Sequence, residues 1–114
     1  MQIIIVGCGK VGSTIAEQLS VEGHDIVIVD TDEEVVKALA TRLDLMGVTG
    51  NGATHSILEE AGVEDADLLI AVTESDELNL LCCMVGKKAG AEHTIARVRN
   101  PEYSQDIGFM KKEL

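Results

Sequence analysis

Short runs of aliphatic residues alternate with amphipathic stretches along the whole chain. Five of these runs predict buried strands, at residues 3–6, 26–29, 45–48, 68–72 and 94–98. Between the runs, apolar residues recur every three or four positions, which is the spacing of a helix with one buried face. These stretches predict helices over residues 11–19, 35–40, 54–61 and 76–89.

Residue types that favour helix ends mark the boundaries of these helices. Thr31 or Asp32 suits the N-cap of the second helix, and Gly62 and Gly90 suit the ends of the third and fourth. The only proline, Pro101, suits the first turn of a last helix. On the fourth helix we expect one apolar side, formed by Leu78, Leu81, Cys82, Val85 and Ala89.

The alternation of strands and helices with short links predicts a parallel sheet with right-handed crossovers. We expect an α/β fold of three layers: a Rossmann-like, doubly wound sheet with the strand order 3-2-1-4-5. No linker or repeat divides the 114 residues, so the prediction is one domain over residues 1–114. Because no strand follows the last helix, we interpret this domain as a fragment of a longer chain.

Composition narrows the class of ligand and the compartment. The net charge is −11, from 20 acidic and 9 basic residues, and the only aromatic residues are Tyr103 and Phe109. This charge and this scarcity of stacking side chains argue against a nucleic-acid partner. Three cysteines without a secretory signal indicate the reducing cytosol. We expect the last helix, which carries both aromatic residues, to pack against another subunit.

A glycine-rich motif follows the first strand and opens the first helix: Gly7, Cys8, Gly9, Lys10, Val11 and Gly12. This order matches G-x-G-x-x-G, and Asp30 follows eighteen residues after Gly12, at the end of the second strand. In this context, the three glycines permit a tight turn, a close approach of a pyrophosphate and close packing of helix on sheet. The free N–H groups of the helix favour the phosphates.

The acidic residue at the end of the second strand predicts an adenosine ligand. The carboxylate of Asp30 can accept hydrogen bonds from both ribose hydroxyls, and it repels a 2′-phosphate. NAD is therefore favoured over NADP. ATP, ADP or AMP carries the same adenosine and stays an alternative.

Other candidates lie where the later strands end, which is where open α/β sheets bind ligands. The 51–54 segment flanks the adenine or is a loop with a helix cap, and the Thr73 hydroxyl meets a ribose or phosphate or caps a helix. Either Arg97 or Arg99 faces the ligand crevice or a neighbouring subunit; the alternative is a salt bridge to the acidic surface. Lys10 reaches a phosphate or points to water. The role of Asn79 stays open.

No set of residues indicates catalysis. His24, His55 and His93 fall in separate regions, and Cys82 and Cys83 diverge on their helix without two further zinc ligands. Glu74, Asp76 and Glu77 fit charges at a helix N-terminus better than a metal site. We therefore expect a binding domain that is not an enzyme. The alternative is the cofactor-binding half of an NAD-dependent dehydrogenase.

Five segments together resemble the Trk potassium-uptake regulator family, at residues 3–12, 29–30, 50–54, 66–79 and 96–103. The resemblance covers the whole chain and identifies it with the N-terminal, nucleotide-binding half of the regulator-of-potassium-conductance (RCK) domain. It implies a cytoplasmic regulator at the inner face of the membrane that binds NAD(H) or ATP/ADP. Its implied partners are a membrane potassium transporter or channel and further copies of itself, as dimers that build a ring.

The family pattern also assigns roles to single positions. It implies that Asn51, Gly52 and Ala53 lie near the base, at a place where relatives often have Asp at position 51. Relatives that prefer ATP commonly have Arg at position 10, where Lys10 keeps the charge without the bidentate fork. The candidate cofactor-binding residues are Gly7, Cys8, Gly9, Lys10, Val11, Gly12, Asp30, Thr31, Asn51, Gly52, Ala53, Thr73, Glu74 and Arg97.

Overall fold

A computed structural model describes residues 1–106. The strands are β1 (Gln2–Val6), β2 (Asp25–Asp30), β3 (Met46–Thr49), β4 (Leu68–Ala71) and β5 (His93–Ala96). The helices are α1 (Lys10–Val21), α2 (Glu33–Leu43), α3 (His55–Glu60) and α4 (Asp76–Ala89). A short 3₁₀ turn, Val63–Asp65, precedes β4, and residues 101–106 are helical, beginning at Pro101 as expected.

All strand pairs are parallel, and their order is β3-β2-β1-β4-β5, which confirms the predicted fold. Strand β1 lies in the centre, and its side chains alternate between the two faces of the sheet. Ile3 and Ile5 pack under α1 and α2, whereas Ile4 and Val6 pack under α3 and α4. The three layers therefore enclose two cores, and among residues 1–106 no aromatic residue contributes to either of them.

Side-chain caps begin two of the longer helices. The Asp32 carboxylate accepts hydrogen bonds from the backbone N–H groups of Glu34 and Val35, so Asp32 and not Thr31 caps α2. The Ser75 hydroxyl accepts from the N–H of Leu78 at 3.1 Å and caps α4. Each cap satisfies N–H groups that have no partner within the helix.

The predicted apolar side of α4 is wrong at one position. Leu81 is 43% exposed, and the buried positions of the helix are Asn79, Cys82 and Gly86. The error arises because the prediction placed α4 by its apolar residues. Its inner face instead includes the polar Asn79, which finds hydrogen-bond partners inside the fold.

Strand β5 ends earlier than the predicted residue 98, because its neighbour β4 ends at Ala71. The N–H of Arg97 makes a last ladder bond to the carbonyl of Ala71 at 2.9 Å, after which the chain leaves the sheet. Arg97 therefore lies just beyond the strand. Within residues 1–106, no helix is both long and apolar enough to cross a membrane.

Candidate functional site

A cleft of about 270 Å³ opens at the carboxyl ends of β1, β2, β3 and β4. Several predicted site residues line it: Gly7, Gly9, Asp30, Thr31, Asn51, Gly52, Thr73 and Glu74. Further lining residues were not predicted: Val6, Gly50, Val72 and Leu78. The other candidates lie outside the lining: Cys8, Lys10, Val11, Gly12, Ala53 and Arg97.

The fold itself requires glycine at two of the three motif positions. Gly7 has a φ of +107°, and a Cβ there would meet the backbone of Val72 and Thr73 at 2.9 Å. A Cβ on Gly12 would lie 1.7 Å from the carbonyl oxygen of Gly7. Gly9 differs, because its φ is −73° and a Cβ there would meet nothing within 4 Å. The packing of the chain itself thus gives no steric reason for glycine at position 9.

The N-terminus of α1 points into this edge of the sheet without a side-chain cap. Gly9 is its N-cap residue, and its first turn contains no acidic residue. The hydroxyls of Ser13 and Thr14 donate back to the carbonyl of Lys10 and leave the free N–H groups alone. The first N–H groups and the helix dipole therefore stay available to an anion.

The carboxylate of Asp30 is held in place at the end of β2. One oxygen accepts from the N–H of Cys8 at 2.8 Å and the other from the N–H of Asp32 at 3.0 Å. Each oxygen keeps further lone pairs for a ligand. Two backbone bonds thus fix the group before any ligand arrives, which lowers the cost of ordering it on binding.

Cys8 faces the core and not the cleft. It is 5% exposed, and its thiol lies 3.8 Å from the carbonyl oxygen of Val29. Burial, with the nearby charge of Asp30, raises the pKa of Cys8 to about 12, so the thiol stays protonated at neutral pH. The side chain therefore fills space beneath the glycine loop.

A side chain within the loop after β3 stabilises its turn. The Asn51 side-chain oxygen accepts from the N–H of Ala53 at 2.9 Å, and Ala53 packs against the core. A Cβ on Gly52 would lie 2.5 Å from a methyl group of Val6, so this glycine lets the loop lie directly on β1. The loop forms the wall of the cleft on the β3 side.

Asn79 organises the opposite wall of the cleft. It is fully buried, and its side-chain oxygen accepts from the N–H of Thr73 at 2.8 Å and from the Thr73 hydroxyl at 2.7 Å. Its amide nitrogen donates to the carbonyls of Thr73 at 3.1 Å and Arg97 at 2.9 Å. Because the Thr73 hydroxyl is engaged with Asn79 and Ser75, its contact with a ligand stays a prediction.

The position of Asn79 in the sequence indicated that it is buried, although its polar side chain suggested the opposite. Asn79 precedes the buried Cys82 and Gly86 by three and seven residues, which places all three on one helix face. A polar residue in that register indicates a buried group with internal partners. The partners themselves lie on β4 and beyond β5, and no local pattern reveals them.

Of the two arginines, Arg99 makes the salt bridge that the sequence left as an alternative. Its guanidinium lies 3.5 Å from the Glu74 carboxylate and donates to the Glu74 carbonyl at 2.7 Å. The backbone N–H groups of Arg99 and Asn100 donate to Asp76, and these bonds lower the pKa of that carboxyl. Arg97 is half-buried outside the cleft lining, so its contact with a ligand stays a prediction.

The family model of the TrkA-N domain matches residues 3–110. The chain belongs to the TrkA-N family. It is 46% identical over 114 residues to the Trk system potassium uptake protein TrkA of Halomonas elongata, covering 99% of this chain and 25% of that protein. A homologue from Methanothermobacter thermautotrophicus is 37% identical, covering 92% of this chain and 49% of that protein. The chain thus spans about a quarter of the first of these relatives.

Solved structures share the fold of this TrkA-N chain. The TrkA-N domain of the inner membrane protein ybaL from Escherichia coli superposes with a TM-score of 0.64 at 20% identity, covering 97% of this chain and 95% of that one. The Kef C-terminal domain of Shewanella denitrificans, in its AMP-bound form, gives 0.80 at 24% identity, covering 96% and 67%. At these identities the likeness concerns the fold.

The titratable residues of the described part of the TrkA-N chain do not assemble into a metal site. Among residues 1–106, no group of three or more His, Cys, Asp and Glu side chains is placed to hold an ion. His55 and His93 lie on the surface beside Glu59 and Glu92. Burial raises the pKa of Cys82 to about 12 and that of Cys83 to about 11, so both thiols are protonated at neutral pH.

Proposed function

We propose that this TrkA-N domain binds an adenine nucleotide in the cleft and regulates potassium uptake through a membrane transporter or channel. The observation that carries the proposal is Gly9. The fold does not require glycine there, yet the position faces the cleft at the uncapped start of α1. A backbone without a side chain at this point is what the close approach of a pyrophosphate requires.

The remaining groups of the cleft fit the other parts of a nucleotide. The phosphates would lie at the N-terminus of α1, where Lys10 adds a positive charge at the first helical residue. The fixed carboxylate of Asp30 would accept hydrogen bonds from the ribose hydroxyls. The loop with Asn51, Gly52 and Ala53 would flank the base, and Thr73 and Glu74 would face the ligand from β4.

NAD(H) is the ligand that we favour, with ATP, ADP or AMP as the alternative. Asp32, Glu33 and Glu34 follow Asp30 after the single residue Thr31, so the end of β2 is strongly acidic and would repel a 2′-phosphate. A phosphorylated dinucleotide should therefore bind more weakly than NADH. The AMP bound to the Kef domain, a neighbour in fold, is consistent with an adenine nucleotide in this class of cleft.

The regulatory role rests on the similarity to relatives named Trk system potassium uptake protein TrkA. Nucleotide binding would act by its difference in affinity between two conformations of the regulator. We propose that the domain works on the cytoplasmic face of the membrane, as part of a homo-oligomer and without catalysis. In the full-length protein, loss of nucleotide binding should remove the nucleotide dependence of potassium uptake.

Titration calorimetry with NADH, NAD, NADPH, ATP and ADP tests the binding site. We expect Asp30→Ala to weaken NADH and ADP about 10- to 100-fold, the size expected for hydrogen bonds to a charged group. The matched control is Asp25→Ala, at the exposed start of the same strand and far from the cleft, which should leave the affinity unchanged. Saturable binding by none of the five nucleotides, or equal affinity in both variants, would contradict the proposal.

A further inference from the structure

Two asparagines flank the cleft, and the chain engages their side chains differently. At Asn79 both the oxygen and the nitrogen of the amide make hydrogen bonds inside the fold. Asn51 is exposed at the cleft, and its side-chain oxygen accepts from the N–H of Ala53 at 2.9 Å. Within residues 1–106, the amide nitrogen of Asn51 has no hydrogen-bond partner. Its two N–H groups are therefore available to a ligand.

The turn at Asn51 sets the direction of this amide. The backbone carbonyl of Asn51 accepts from the N–H of Thr54 at 3.1 Å and from its hydroxyl at 2.7 Å, which holds the loop in place. The side-chain oxygen is turned towards the backbone of its own loop by the bond from Ala53. Because the amide is planar, its nitrogen is then turned away from the loop. The side chain offers hydrogen-bond donors to the cleft.

The base of a bound nucleotide would lie beside this amide. The N–H of Gly50 donates to the carbonyl of Asp30 at 2.9 Å, so the loop after β3 starts beside the residue that we assign to the ribose. The base is attached directly to the ribose. Of the three residues of this loop that line the cleft, Gly50, Asn51 and Gly52, only Asn51 has a side chain. The inference below rests on the proposed nucleotide site and concerns its choice of base.

A free asparagine amide recognises adenine through two bonds. Its oxygen accepts from the 6-amino group, and its nitrogen donates to N7. At Asn51 the oxygen is engaged within the turn, and the donor to N7 remains. N7 is an acceptor in every purine, and guanine and hypoxanthine have an acceptor oxygen in place of the 6-amino group. A donor alone thus separates purines from pyrimidines, but it does not separate one purine from another.

We propose that Asn51 sets the base specificity of the cleft, which accepts purine nucleotides in general and does not select adenine. Asn51→Asp should make the cleft selective. One carboxylate oxygen would keep the bond from Ala53, and the other would present a charged acceptor to the base. This acceptor attracts the 6-amino group of adenine and repels the 6-oxo group of hypoxanthine.

Titration calorimetry with ADP, IDP and UDP isolates the base, since the three ligands share the ribose and the diphosphate. For the original chain we expect the dissociation constants of ADP and IDP to agree within about threefold. UDP should bind at least about fivefold more weakly, because a pyrimidine has no N7 and covers less surface. In Asn51→Asp, ADP should bind at least about tenfold more tightly than IDP. Repulsion between the new charge and the phosphates affects both ligands and cancels in this ratio.

Asn100→Asp is the matched control. The side-chain oxygen of Asn100 accepts from the N–H of Glu102 at 2.9 Å, in the same kind of turn, and Asn100 lies outside the cleft lining. The ratio of ADP to IDP affinity should stay that of the original chain.

A second variant, Asn51→Ser, tests the donor itself. Its hydroxyl can still accept from Ala53, but it is shorter than the amide and removes the two N–H groups. The affinities for ADP and IDP should fall by the same factor, about three- to tenfold, and UDP should change by less than about twofold. Circular dichroism of each variant verifies that it is folded.

Two results would overturn the proposal while the nucleotide site itself stands. One is an original chain that binds ADP at least about tenfold more tightly than IDP. The other is an Asn51→Asp protein whose ratio of ADP to IDP affinity equals that of the original chain. Binding of none of the nucleotides would contradict the proposed function, and this inference with it.

Discussion

Helices α1 and α4 begin at the same edge of the sheet, after the neighbouring strands β1 and β4, yet their first turns differ. Helix α4 starts with the capping hydroxyl of Ser75 and with Asp76 and Glu77 in its first turn. Helix α1 starts with Gly9, has no side-chain cap and has no acid in its first turn. A cleft-facing loop of glycines precedes α1, whereas a network of side chains surrounds the start of α4.

The N-terminus of α4 is capped by groups of the chain itself, whereas the N-terminus of α1 is uncapped and can bind a ligand. At α4, the chain itself supplies the oxygen atoms and negative charges that a helix N-terminus attracts. At α1, it supplies neither, and an anion such as a phosphate would complete the same interactions. Substitutions that remove the groups around these two helix ends, or that give α1 a cap like that of α4, test this difference.

The largest effect is expected from Gly12→Ala, which breaks the loop that holds the start of α1. A Cβ at position 12 would overlap the carbonyl of Gly7 at 1.7 Å, and backbone atoms cannot move aside cheaply. We expect a loss of about 4 kcal/mol or more in the free energy of unfolding, together with loss of nucleotide binding. Urea denaturation measures the first quantity. Gly9→Ala, with open space around its Cβ, is the control and should cost under about 1 kcal/mol.

Asn79→Ala should have the next largest effect, because it leaves buried partners on Thr73 and Arg97 without hydrogen bonds. We expect a loss of about 2–4 kcal/mol in unfolding free energy and weaker nucleotide binding from a loosened Thr73 wall. Cys82→Ala, at the next buried position of α4, should destabilise less and leave the affinity unchanged. Equal nucleotide affinity in Asn79→Ala and the original chain would show that Asn79 supports the fold alone.

Gly12 and Asn79 also illustrate which parts of the structure the sequence predicts and which it does not. Local patterns in the sequence predict most of the fold and part of the cleft. The motif predicts the glycine loop, the charge at a strand end predicts Asp30, and the alternation of runs predicts the parallel sheet and its strand order. The hydrogen bonds among Thr73, Asn79 and Arg97 cannot be predicted from the sequence, because these residues lie on three segments that only the folded sheet brings together. The exposure of Leu81 was missed because the prediction placed α4 by its apolar residues, while its inner face includes the polar Asn79.

Removing the cap of α4 should have a moderate effect that is confined to stability. Ser75→Ala deletes the hydroxyl that accepts from the N–H of Leu78, and we expect a loss of about 1 kcal/mol. For a domain of this size the melting temperature should fall by about 3–6 °C. Nucleotide affinity should stay within about twofold, and Ser56→Ala on the exposed side of α3 should change neither quantity. A large loss of affinity in Ser75→Ala would mean that the α4 end also takes part in binding.

The most direct test of the account is Gly9→Ser, which gives α1 the kind of cap that α4 already has. Serine fits the ordinary backbone angles at position 9, where a Cβ meets nothing within 4 Å, and it is a preferred N-cap residue. We predict an equal or slightly higher melting temperature of the empty domain, measured by scanning calorimetry. On the same protein, titration should show NADH and ADP bound at least about tenfold more weakly, since the hydroxymethyl group occupies the approach of the phosphates. Unchanged affinity for both nucleotides in the folded variant would contradict the claim that the start of α1 is reserved for an anionic ligand.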